Sequence, residues 1–256
     1  MQFIDLDHGG RFDAGDKIDA DSHPFSREAM ERLDMSLKFL ETAFGRTGIQ
    51  DFECCIQWGS GLANAMWSNG RLLLGDGDDC HRPYSQSLSI VMHELTHSLV
   101  EMHGLSNADE SKAVNEHLCD VFGILMKQWL QTMSGEETDW LFGSEVRICT
   151  DTGAAIRNML DPSSNARDEG AMVWSDAAQN PADVYYNAGV LNHAFALATE
   201  SIDALPWKST GLVWYRALDS LPWSTDIPEF ARLVVANAGE YDAEIAAAFR
   251  QVDLAI

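Results

Sequence analysis

The segment Ser89-Ile90-Val91-Met92-His93-Glu94-Leu95-Thr96-His97-Ser98-Leu99-Val100 limits what this chain can become more than any other. Its apolar residues recur three and four apart, the spacing of one face of a helix. Residues four apart stand one above the other on that face, so the rings of His93 and His97 can reach a single metal ion. Glu94, one step along, can lean toward the same ion. Two imidazole ligands and an adjacent carboxylate form the arrangement by which zinc enzymes polarise water for hydrolysis. The pattern is short enough to arise by chance, so the weight falls on a third ligand.

A catalytic zinc needs three protein ligands and an open fourth position. Residues 109–131 read as a helix, with Ser106-x-x-Asp109 as the start signal. Asn115, Glu116 and Asp120 interrupt an otherwise apolar run of Ala113, Val114, Leu118, Val121 and Phe122, which is not the pattern of a plain solvated face. Glu116 is the predicted third ligand. Asp120, four residues on and on the same face, has the chemistry to hold the other ring nitrogen of a zinc histidine, with Asn115 beside it in support. His103 competes as a third ligand, because it stands ten residues after His93, as in a metzincin. That motif needs glycine where this chain has Val100, so that the chain can turn back. His103 precedes Gly104, where a helix end and its dipole suit a cation, and Glu116 is preferred.

With these motifs in view, HELTH at 93–97 and NEHLCDVFG at 115–123 resemble the thermolysin family of neutral zinc endopeptidases. Asn64-Ala65-Met66-Trp67-Ser68-Asn69-Gly70 resembles that family's edge strand, and Gly75-Asp76-Gly77-Asp78 the turn after it. Arg157-Asn158-Met159-Leu160-Asp161-Pro162, Asn187-Ala188-Gly189-Val190-Leu191-Asn192 and Trp214-Tyr215-Arg216-Ala217-Leu218 match further family segments, in family order. The resemblance implies an α+β, two-lobed fold: an N-terminal lobe over 1–104 with the edge strand and the histidine helix, and a mainly helical lobe over 105–256 with the third ligand. Zinc would lie in the cleft between them.

The resemblance also shows departures. Where the family places carboxylates that share calcium, this chain has Ser89 and Lys127, and an ammonium is incompatible with a divalent cation at that place. Asp139-Trp140 looks like the family's calcium loop, but Leu141 follows it, so calcium is not expected. The family's oxyanion-binding histidine is replaced by Tyr185, which keeps a hydrogen-bond donor; His193, six residues along, should point elsewhere. The family's second donor, a tyrosine, falls near Asn107.

Composition bounds the partners. The 256 residues suffice for two lobes around one interface, and 46% hydrophobic with 22% charged residues is ordinary for a globular protein. A net charge of −23 argues against nucleic acid or an anionic membrane as partner. No run of eighteen apolar residues exists to span a bilayer. The start, Met1-Gln2-Phe3-Ile4-Asp5-Leu6-Asp7-His8, does not read as a secretory signal. Five cysteines, at 54, 55, 80, 119 and 149, show no paired spacing. The expectation is therefore a cytoplasmic protein with mostly reduced thiols, signal-independent export or a trimmed form remaining open.

Along the chain, residues 1–24 read as a solvated lead-in, whose Asp13, Asp16, Asp19 and Asp21 lack EF-hand spacing. Residues 26–44 predict a helix through Met30, Leu33, Leu37, Leu40 and Phe44, ended by Gly45 and Gly48. Phe52 to Trp58 predicts a strand, and Leu62–Trp67 with Arg71–Leu74 a hairpin about Asn69-Gly70. Residues 132–182 are long, polar and irregular; helices are expected at about 187–204, 208–220, 227–238 and 241–252.

The expected activity is peptide hydrolysis, with Glu94 as general base and zinc on His93, His97 and Glu116. The substrate would pair with the edge strand at Asn64, Ala65 and Trp67, and Arg157 would hold the carbonyl after the cut bond. Apolar Ile90 and Ile156 point to a hydrophobic residue on the amine side of the cut. Partners would be a peptide or protein substrate and a protein inhibitor that restrains a protease in the cytoplasm. The alternative is a zinc-binding pseudo-peptidase that binds peptides or a partner and no longer cuts; the intact Glu94 stands against it.

Overall fold

The structure, a computed structural model, describes every residue except 7–15, 20, 22, 50–51, 107–108, 150–152, 167–169, 180–181 and 203. The N-terminal lobe holds a five-stranded mixed sheet in the order β2-β1-β3-β5-β4, built from β1 (Gln2–Asp5), β2 (Asp16–Ile18), β3 (Glu53–Ile56), β4 (Ala65–Ser68) and β5 (Arg71–Leu74). The hairpin forms as expected. Asn69 and Gly70 take φ of 51° and 74°, the left-handed pair that a two-residue turn between twisted strands requires. β4 is the last strand of the sheet.

The chain's start is not a solvated lead-in. Phe3, Ile4 and Leu6 are buried, and β1 pairs in parallel with β3 and antiparallel with β2. Acidic neighbours hid the strand, and its partner β3 lies some fifty residues away, beyond the reach of local patterning. Asp13 lies outside the described residues.

Helix α1 (Pro24–Phe44) begins two residues before its expected start, because His23 caps it by accepting the Phe25 N–H at 3.2 Å and Pro24 occupies the first turn. Gly45 ends it at φ 66°, its N–H returning to the Glu41 carbonyl. α2 (Leu88–His103) is capped by Ser87, whose Oγ accepts the Ile90 N–H, and is closed by Gly104 at φ 74°. α3 (Asp109–Ser134) packs across it. Gly123 permits the close approach: a Cβ there would stand 2.6 Å from the Ser89 carbonyl oxygen and 2.9 Å from the Phe142 ring. The proposed start signal of α3 rests partly on residues outside those described. α5 (Val184–Ser201), α6 (Thr210–Asp219), α7 (Ile227–Ala236) and α8 (Asp242–Gln251), with the short α4 (Trp174–Ala177), complete the helical lobe. α5 starts three residues earlier than expected, because Asp183 accepts the Tyr186 N–H as its cap. α7 carries a full capping box between Asp226 and Glu229.

The irregular stretch after α3 is folded on a local scaffold. Its short strands β6 (Leu141–Phe142) and β7 (Arg157–Asn158) pair with each other. Lys127 of α3 is buried and spends its three donors on Asp139 Oδ1 (2.7 Å), the Leu141 carbonyl (2.8 Å) and Ser144 Oγ (2.7 Å). Burial opposes a charge on Asp139, but the Lys127 ammonium outweighs it and holds the carboxyl below the usual range. Ser89 Oγ meets Glu145 Oε2 at 3.2 Å and accepts the Gly143 N–H at 2.9 Å. The expectation of mostly reduced thiols needs correcting at one pair: Cys80 and Cys149 form a disulfide, while Cys54, Cys55 and Cys119 are free and buried. Sixty-nine residues separate the bridged pair, which sequence spacing alone cannot match.

Candidate active site

α2 and α3 turn their polar faces toward one another. His93 Nδ1 donates to Asp120 Oδ1 at 2.9 Å, and His97 Nδ1 donates to Asn115 Oδ1 at 2.9 Å. With both Nδ1 atoms so engaged, Nε2 is the nitrogen each ring leaves for an ion, and both face Glu116: its Oε2 lies 3.4 Å from His93 Nε2 and 4.0 Å from His97 Nε2. Ligand atoms at 2.0–2.2 Å around a tetrahedral zinc stand about 3.4 Å apart. The donor set therefore fits zinc. Cys119 Sγ also lies near the two imidazoles. It touches His97 on the Nδ1 side, at 3.2 Å, and burial pushes its thiol well above the ordinary range. Ligation through Cys119 would compete for the His97 nitrogen already bonded to Asn115, whereas Glu116 faces the Nε2 of both rings, so the geometry favours Glu116. His103 turns to Asp219 Oδ1 at 3.4 Å.

The electrostatics fit the same assignment. Burial would lower the His93 ring, but hydrogen bonds to Asp120 and Glu116 outweigh it and raise its pKa to about 9 without a metal. Burial likewise opposes the charge on Glu116, yet His93, His97 and Arg157 hold its carboxyl below the usual range. Glu94 is different: burial raises it, and the charges of His93 and His97 offset that only in part.

These groups line a cavity of about 610 Å³ together with Asn64, Ala65 and Trp67 of the edge strand, Arg157 and Tyr185. The Trp67 N–H reaches the Glu94 carboxylate. Backbone groups of alternate residues in a strand face the same edge, so the N–H and C=O of Ala65 also face the cavity. Asn64 gives its carbonyl to the Gly75 N–H at 2.9 Å. Arg157 Nη2 pairs with Asp120 Oδ1 at 2.5 Å, and its guanidinium lies 4.4 Å over the Phe142 ring. Tyr185, at the start of α5, keeps 38% of its surface exposed. The negative charge of Glu116 and then burial push its phenol up to about 12. His193 is turned away and bonds the Met172 carbonyl at 3.1 Å. Asn107 lies outside the described residues.

Sequence reasoning missed several lining residues, among them Glu101, Lys112 and Phe142. Glu101, which accepts the Trp67 Nε1–H at 2.9 Å, stands four residues after His97, and Lys112 four before Glu116; helical spacing could have found both. Phe142 carried no such signal.

A two-lobed α+β fold with a histidine–histidine–glutamate site beside a buried carboxylate, in a cleft edged by an open strand, defines the class of zinc metallopeptidases. Residues 12–101 match the model of the thermolysin metallopeptidase catalytic domain and residues 103–255 that of its alpha-helical domain, and the chain belongs to this family. An extracellular metalloprotease of Pectobacterium carotovorum subsp. carotovorum is 31% identical over 198 residues, covering 72% of this chain and 57% of that protein. Protease PrtS of a Photorhabdus species (strain Az29) is 27% identical over 230 residues, 82% of this chain and 62% of its own. The chain thus spans about three-fifths of the length of these relatives. In fold it is similar to the precursor of protealysin, a metalloproteinase from Serratia proteamaculans, with TM-score 0.87 and 25% identity over 99% of this chain and 87% of that one. The cytoplasmic location expected from the start of the chain does not stand, since the Pectobacterium relative is named an extracellular enzyme.

Proposed function

We propose that this chain is a zinc-dependent endopeptidase that hydrolyses peptide or protein substrates. The observation that carries this is the convergence of His93 Nε2, His97 Nε2 and Glu116 Oε2 beside Glu94 within the cavity. His93, His97 and Glu116 would hold the ion. When bound, zinc supplies a Lewis acid that polarises the scissile carbonyl and eases deprotonation of water. Glu94 Oε takes the proton of the attacking water and then gives it to the leaving amine nitrogen. The substrate backbone pairs with Ala65 on the open side of β4, with Asn64 and Trp67 flanking it. Tyr185 donates its phenolic proton in a hydrogen bond to the developing oxyanion, and its raised pKa keeps that proton in place. Arg157, anchored on Asp120, offers its remaining donors to the carbonyl after the cut bond. Ile90, Ile156 and Phe142 favour a hydrophobic residue on the amine side. The two lobes divide at 104/105, where Gly104 closes α2, so the ion takes ligands from both.

Calcium has no place in this reading, because the Lys127 ammonium already supplies positive charge to Asp139 and its neighbours. Cleavage of a quenched peptide library tests the proposal. Wild-type protein should cut, while chelator-treated protein and Glu94→Gln should not. Zinc-loaded wild type that leaves the library whole would leave the peptide-binding pseudo-peptidase as the reading.

A further inference from the structure

Asp120 accepts on both oxygens, and only one is taken up by the metal site. His93 and Arg157 bond its Oδ1; Asn192 of α5 bonds its Oδ2, Nδ2 donating at 2.9 Å. Behind Asn192 the contacts continue. His117 Nδ1 and Asn192 Oδ1 are 2.7 Å apart, and Trp214 Nε1 of α6 donates to His117 Nε2 at 2.8 Å. His117 and Trp214 are fully buried and Asn192 is 3% exposed, with the Phe230 ring 5.5 Å from the imidazole.

The chemistry at the two ends fixes every proton between them. An indole N–H can only donate, so His117 Nε2 must accept and its proton sits on Nδ1. That Nδ1–H donates to Asn192 Oδ1. An ionised carboxylate can only accept, so Asn192 must present its amide N–H to Asp120. Both constraints demand the same amide orientation. Were the His117 proton on Nε2 instead, Nδ1 would call for the amide N–H, and the Asn192 oxygen would turn onto the Asp120 carboxylate. In this apolar setting such a clash of acceptors is costly, and a chain of aligned donors is strengthened.

We propose that His117, Asn192 and Trp214 are positioning residues for the metal site: Trp214 sets the tautomer of His117, which orients Asn192, which holds the Asp120 carboxylate in place for His93. The inference rests on the zinc reading above. It separates from ordinary core packing by opposite expectations at one position. Asparagine at 117 can keep the Nδ donor but leaves space unfilled, whereas leucine nearly fills the space and removes the donor.

Zinc affinity, measured by competition with a chromophoric chelator, decides between them, with melting of the metal-free variants as the control for folding. His117→Asn should bind within about threefold of wild type, while His117→Leu and Trp214→Phe should bind roughly ten- to a hundredfold more weakly. His117→Leu binding as tightly as wild type, or His117→Asn losing as much as the leucine variant, would overturn the proposal. Should the variants fail to fold, ¹⁵N spectra of the wild-type histidine rings still test it. A His117 proton on Nδ1 supports the chain and one on Nε2 refutes it. Wild-type protein that takes up no zinc would instead sink the metal reading itself.

Discussion

Glu94 is held between opposing influences: burial favours its neutral form, while the two zinc-site histidines and the Trp67 N–H favour the carboxylate. A base in that balance exchanges a proton readily, which is what the two transfers of peptide hydrolysis need. Glu94→Gln keeps the size and the hydrogen bonding but cannot take a proton. It should lose about 10²–10⁴-fold in kcat while binding zinc as wild type does, read by single-turnover cleavage and zinc titration. Tyr185→Phe removes one hydroxyl at the cavity wall. We expect roughly a hundredfold loss in kcat with KM little changed, and unchanged kcat would remove Tyr185 from the mechanism. The phenol's pKa of about 12 adds a sign: it stays a protonated donor up to that pH. The rate profile of wild type between pH 7 and pH 10 should therefore show no alkaline fall that Tyr185→Phe abolishes.

Among the elements, α3 does the most. It supplies Asn115 and Glu116 to the cleft, Asp120 behind His93 and, further along, Lys127 to the segment that carries Phe142 and Arg157. Lys127→Met would leave Asp139 charged against a partly buried wall. The loss should be about 2–3 kcal/mol, below the figure for a wholly buried pair because a third of the Asp139 side chain stays in water. The folded pKa of Asp139 is depressed, so this stabilisation is complete above the ordinary aspartate range and fades as pH falls through the lower, folded value. Melting curves of wild type and Lys127→Met should therefore differ at neutral pH and converge in strong acid. Neither should respond to millimolar calcium. What the sequence reveals follows the same scale. α1, α2, α3 and the β4–β5 hairpin could be read because each repeats its own period and ends in its own turn residues. So could Glu116 and Asp120, on one face of one helix. β1, the Cys80–Cys149 bridge and the Trp214–His117–Asn192 chain could not, because each depends on partners that only the folded chain brings together.

On the scale of the whole molecule, the disulfide joins the turn after β5 to the segment that runs on to Arg157, closing a loop of 69 residues. Constraining a loop of that length in the unfolded chain contributes about 4 kcal/mol in the chain-entropy account. A Cys80→Ala, Cys149→Ala double variant should melt lower by an amount of that order, and an unchanged melting temperature would mean that the loop is held by its other contacts. The open side of β4 has a different consequence. A strand that must stay free to receive a substrate is equally free to receive a strand from another copy, so the feature that would serve peptide binding is also a colloidal hazard. Nothing in β4 itself guards against this: Ala65, Met66, Trp67 and Ser68 carry no charge. The guard is global. With a net charge of −23, two copies repel before their edges can meet, but that protection reaches only as far as the ionic atmosphere allows. At molar salt, where screening contracts to about 3 Å, light scattering should detect self-association that a competing peptide suppresses. The acidity of this protein then acts less as a preference for particular partners than as a distance kept from its own kind.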